Sequence, residues 1–174
     1  MSDKIKYLFD SNIFIQASRL YYQFEFCQVF WNWIKTLNPN GMLSIMEVYN
    51  ELTVGDDQLK DWIKPQKMSF VNFDAVSAQY LSIIEEILRK DNIEPSKIKE
   101  FLDQKRADAF LLAYAKAHNC VVVSHEVSIS KIKIKSHKVQ IPNVAKDLGV
   151  QVITIFDLMR CEENYFLGLN KKAS

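Results

Sequence analysis

The run Cys120-Val121-Val122-Val123 narrows most what this chain can fold into. Four consecutive apolar residues, three of them β-branched, leave no face for water, so a strand made from them must be covered on both sides, as in a parallel sheet between helices. Tyr7-Leu8-Phe9, at the end of a first strand expected from Lys4, has the same look, and Val150 to Ile155 supplies an expected last strand. Met42 to Ile45 and Ser69 to Phe73 read as shorter ones.

Helical periodicity fills the intervals. Tyr21 to Leu37 reads as an aromatic helix stopped by Asn38-Pro39-Asn40-Gly41, and Glu47 to Leu52 as a helix before the Gly55-Asp56-Asp57 break. Ala75 to Arg89, Ser96 to Phe101 entered through Pro95, Ala107 to His118, and a terminal helix starting over Phe156 to Met159 follow. Strands alternating with helices predict an α/β fold with a central, mostly parallel sheet.

With 174 residues, 48% of them hydrophobic, the chain is expected to form one domain over 1–174, with a polar tail at about 170–174. A formal net charge of +1 means that any nucleic-acid contact must come from a local basic patch. Cys27, Cys120 and Cys161 are odd in number and far apart, which suits reduced thiols in the cytoplasm better than a disulfide framework. No apolar leader and no apolar run of spanning length is visible, so no membrane role is expected. Four glycines and no GxxxxGK[ST] or GxGxxG argue against a nucleotide cradle, and three histidines without HxxxH or HExxH spacing argue against zinc hydrolysis.

In an open parallel sheet, ligands collect outside the carboxyl ends of the strands, and two acids fall there: Asp10 after Tyr7-Leu8-Phe9, and Glu126 after the valines. Asp10 and Asn12 flank Ser11 at a turn, where a carboxylate and an amide can converge on a hard cation or its waters; helix capping is the competing use of the same residues. Glu51 and Glu47 lie one turn apart on one helix face, so spacing does not decide which enters a cleft. Asp108 opens a helix, where a negative charge also suits the dipole. Acids confined together would repel and raise one another's pKa unless a divalent ion neutralised them, and such an ion can activate water for phosphodiester cleavage. His125 is a candidate proton carrier, although a strand neighbour of an acid more often faces the other way.

In order and context, Y-L-F-D-S-N-I-F, S-I-M-E-V-Y-N-E-L, A-D-A-F-L-L-A-Y-A and V-V-V-S-H-E resemble the PIN-domain family. The D-[TS]-N setting of that family matches Asp10, its acid before leucine selects Glu51 over Glu47, its helix-opening A-D matches Asp108, and its fourth acid falls on Glu126. Glu stands at that fourth position where Asp is usual, and Met46 stands where proline is common. The resemblance covers about Tyr7 to Met159, and the chain is longer than typical VapC-type toxins. It implies a three-layer PIN-like fold and a Mg²⁺- or Mn²⁺-dependent endoribonuclease whose metal and catalytic residues are Asp10, Glu51, Asp108 and Glu126. It also implies the toxin of a toxin–antitoxin pair, with RNA as substrate and an antitoxin as partner.

Asn12 and Ser124 beside the acids, and Lys131, Lys133 and Lys135 beyond them, are the expected substrate contacts. The alternation Ile129-Ser130-Lys131-Ile132-Lys133-Ile134-Lys135 equally suits an edge strand protected by lysines, and Ser128 to Lys138 is polar enough for a long loop. The aromatic stretch from Tyr21 to Trp33 serves either as core or as a homodimer or partner face. Two rival readings stand beside the nuclease. One is a PIN-like binding module without turnover; the other is a haloacid-dehalogenase-like phosphatase, disfavoured because Asn12 stands where its second Asp belongs.

Overall fold

The structure is a computed structural model and describes residues 6–38, 41–125 and 139–161. The expected loop from Ser128 to Lys138, with its alternative as an edge strand, and the polar tail lie outside those residues.

Strand β1 (Tyr7–Phe9) pairs in parallel with β4 (Val121–Val123), Leu8 opposite Val122, and β4 pairs in parallel with β5 (Val152–Ile153). Leu8 and Phe9 are successive strand residues that face opposite ways, and both are completely buried. The sheet is therefore covered on both faces, as the continuous apolar runs require, and the α/β architecture with helices flanking a central parallel sheet is what the molecule has. A second parallel pair, β2 (Ser44–Ile45) with β3 (Phe70–Val71), lies along the other edge of β1. There the Phe9 N–H donates to Leu43 O at 3.1 Å and the Ser44 hydroxyl donates to Phe9 O at 2.7 Å. Asn38 reinforces this seam: its buried side chain accepts from the Tyr7 N–H at 2.7 Å and donates to Tyr7 O and Met42 O at 2.6 and 2.7 Å. Read across, the strands run β3, β2, β1, β4, β5, so chain order reverses between β1 and β4.

Helix α1 (Ser11–Gln16) leaves β1 and continues into a π-helical turn, Ala17–Tyr21. The helix expected from Tyr21 to Leu37 is present only as α2 (Gln28–Ile34). Ring packing overrides the helical period there: Tyr22 stacks on Phe30 at 4.3 Å, Phe24 stacks on Trp31 at 4.2 Å, and the Trp31 indole N–H donates to Tyr22 O at 2.7 Å. The chain thus folds back on itself between the π turn and α2.

Helix α3 (Met46–Leu52) follows β2, as the sequence predicts. Helix α4 (Gln58–Ile63) was not expected; Asp57, read only as part of a break, caps it by accepting the Lys60 N–H at 3.1 Å. A 3-10 turn, Lys64–Ser69, leads to β3. Helices α5 (Ala75–Lys90), α6 (Pro95–Phe101) and α7 (Asp108–His118) match expectation within a residue. Helix α8 (Ile141–Leu148) is the other element missed, although Ile141, Val144, Ala145 and Leu148 recur at helical spacing and are all buried, and Gly149 closes it at φ +71°. Helix α9 (Ile155–Cys161) follows β5 directly. Strands β2, β3 and β5 are each two residues long, shorter than their apolar runs.

Candidate carboxylate site

Asp10 is the first residue past β1 and takes the N-cap position of α1, yet its side chain caps nothing. The carboxylate is 1% exposed. Its Oδ2 accepts from the Ser124 hydroxyl at 2.8 Å and from the Asn12 amide at 3.4 Å, and its Oδ1 accepts from the Ser11 hydroxyl at 3.4 Å. The backbone holds the same junction, because the Asp10 N–H donates to Val123 O at 2.9 Å and the Ser124 N–H to Ile153 O at 3.0 Å. Asp10 and Ser124 are therefore fixed together at the carboxyl ends of β1 and β4, where the strand order reverses, the place at which open α/β sheets receive ligands. Ser124, expected at the substrate, is fully buried with its hydroxyl on Asp10, and the Asn12 amide points to the same carboxylate. Both orient Asp10.

Glu51 and Asp108 meet at the start of α7. The Glu51 carboxylate Oε1 accepts the Ala107 N–H at 2.8 Å, satisfying a donor that the helix itself leaves unpaired. Asp108 is the next residue, and its Oδ2 accepts from Arg106 Nη2 at 2.9 Å while Arg106 Nη1 reaches Glu100 at 2.8 Å. Sequence spacing allowed Asp108 a dipole role, and its place at the first position of α7 provides it. The capping role of Glu51 was not foreseen, since its partner lies 56 residues away.

Glu47 is the acid that sequence reasoning passed over. It stands in the first turn of α3, two residues past β2, much as Asp10 stands past β1. Its Oε2 is buried with no hydrogen-bond partner among the described residues, and burial holds its carboxyl above the usual range, against a lowering by its own backbone N–H. Glu47 and Glu51 thus share a helix face but have different surroundings. The signal for Glu47 in the sequence was its position directly after a strand.

His125 follows Ser124, is half-buried, and has its pKa lowered by that burial. Its ring meets Phe156 edge-on at 6.1 Å. Glu126, Lys131, Lys133 and Lys135 lie outside the described residues. Among the described residues, no group of three or more His, Cys, Asp or Glu side chains is assembled to hold a metal ion. The donors that are present are hard carboxylate oxygens, and the orphaned buried oxygen of Glu47 is the kind of atom a small hard cation would satisfy, so the residues fit Mg²⁺ or Mn²⁺.

The chain belongs to the family described as a domain of unknown function, DUF4411, whose profile matches residues 7–166. No curated protein matches it significantly.

Proposed function

We propose that this member of the DUF4411 family is a PIN-like, Mg²⁺- or Mn²⁺-dependent endoribonuclease that hydrolyses phosphodiester bonds in RNA. One observation carries the reading: a carboxylate buried at the strand-order reversal, occupying a capping position without capping, and held by Ser124 from the neighbouring strand. Asp10, Glu51, Asp108 and Glu126 would hold the ion, with Glu47 added for its orphaned oxygen. A bound divalent ion would supply an activated water and offset charge on the leaving oxygen. Ser124 and Asn12 keep Asp10 in one orientation, Glu51 fixes the start of α7, and Arg106 orients Asp108.

Within this reading the protein acts as the toxin of a toxin–antitoxin pair in the cytoplasm, with an antitoxin or a second copy as protein partner. Three free thiols support a reducing compartment. A second reading, a binding module without turnover, draws on the structural use of Glu51 and Asp108, each of which has a carboxylate oxygen engaged by Ala107 or Arg106.

Calorimetric titration with Mn²⁺ tests the metal site, and the absence of both binding and cleavage would favour the binding module. We expect wild type to bind Mn²⁺, and Asp10→Asn to weaken binding at least 10-fold. Equal binding by both, or none by wild type, counts against the metal site.

A further inference from the structure

We propose that Tyr21 and Phe156 form a stacking platform for an unpaired base of a single-stranded RNA beside the Asp10 site, an inference that rests on the nuclease reading. The two rings reach one edge of the molecule by separate paths. Tyr21 ends the π-helical turn that continues α1, the helix that Asp10 begins. Phe156 is the second residue of α9, which opens just past β5, the strand beside β4. Tyr21 is 61% exposed and Phe156 41% exposed, and their rings meet edge-to-face with centroids 6.3 Å apart. Phe156 in turn meets His125 at 6.1 Å, and His125 adjoins Ser124, the residue that holds Asp10. A row of three rings therefore runs from open surface to His125, the residue after Ser124 at the carboxyl end of β4.

The platform is anchored from below. The Tyr22 hydroxyl donates to Met159 Sδ at 3.4 Å, joining the π turn to α9, and the Tyr22 ring lies flat on the buried Phe30. Exposed rings on a fixed support suit base stacking, because little side-chain freedom remains to be lost on binding. The edge-to-face arrangement leaves a ring face open to a flat partner. A base inside a duplex already has both faces covered, so the platform selects unpaired ones. Arg19, exposed and two residues before Tyr21, makes no ion pair among the described residues and leaves a positive charge on the same helical turn. Departures to π geometry occur often at functional sites, and here one ends on Tyr21.

The test is equilibrium binding, in EDTA, of a single-stranded oligoribonucleotide carrying 2-aminopurine, whose fluorescence falls when the base stacks. Wild type should quench it; Tyr21→Ala and Phe156→Ala should each weaken binding about 10-fold, and Tyr21→Phe should restore it. Met68→Ala, at a residue exposed beside Lys6 and Cys120 at the amino ends of the strands, should have no effect. Cleavage in Mn²⁺ is followed in parallel. If Asp10→Asn stops cleavage while both alanine variants bind and quench as wild type does, the platform is overturned and the nuclease reading stands. If the alanine variants lose binding but wild type never cleaves, the platform stands as an RNA-binding surface and the nuclease reading falls. A wild-type dimer that Tyr21→Ala dissociates, with RNA affinity unchanged, would assign the face to a second copy and overturn the proposal.

Discussion

The Asp10 carboxylate accepts hydrogen bonds from Ser124, Asn12 and Ser11, and among the described residues it makes no capping bond to the helix it precedes. Its position after an apolar strand was legible in the sequence; its orientation was not, because Asp-Ser-Asn suits a cap as well as a cation. Glu47 and Glu51 make the same point, since residues four apart share a helix face and only the surrounding packing tells them apart. Glu47 also yields a pH prediction. Its carboxyl is raised from 4.5 by burial, so the folded state binds the proton more tightly than the unfolded state does. Stability from this group is therefore intact below the unfolded value and declines as pH rises toward the folded one. In metal-free buffer, Glu47→Gln should be more stable than wild type at pH 7, and the gain should vanish below about pH 4.5. Saturating Mn²⁺ should reverse the order at pH 7, because binding to the folded state stabilises wild type more. Denaturant unfolding at the two pH values checks this, and a gain that persists at low pH would contradict it.

At the level of elements, the start of α7 is where structure and chemistry share residues. Glu51 accepts the Ala107 N–H from across the fold, so Glu51→Ala should destabilise the protein by about 1 kcal/mol, in the range of a lost cap. Glu51→Gln retains an acceptor and should recover most of that stability while still impairing metal-dependent cleavage. Thermal melts of both variants, set beside their activities, separate the roles; equal activity of Glu51→Gln and wild type would leave Glu51 a cap and nothing more. Helices α5 and α7 were readable because their apolar positions repeat over several turns. The segment from Tyr21 to Leu37 was not, because its aromatic residues satisfy one another across a fold-back instead of along one helix. It divides into Phe30, Trp31 and Trp33, which are buried in the core, and Tyr21, Phe26 and Val29, which are exposed. Helices α4 and α8 are short; α4 is capped by Asp57 from the Gly55-Asp56-Asp57 break, and α8 carries Pro142 in its first turn.

For the molecule as a whole, the reversal of strand order between β1 and β4 creates the site. The valine run was enough to predict a covered parallel strand, and its pairing with β1 brings Ser124 to Asp10 across 114 residues of sequence. That contact could not be read from local patterns, because it depends on which strands become neighbours. The seam along β1, from the Asn38 side chain to Leu43 and Ser44, sets β2 on the other edge and brings Glu47 to the same end of the sheet. The assay that tests the central claim is cleavage of single-stranded RNA in Mg²⁺ or Mn²⁺ by wild type, Asp10→Asn and Asp108→Asn, with and without EDTA. The account predicts cutting by wild type that EDTA abolishes, and at least a 100-fold loss in both variants. Cleavage that survives EDTA, or equal cleavage by all three proteins, would contradict it.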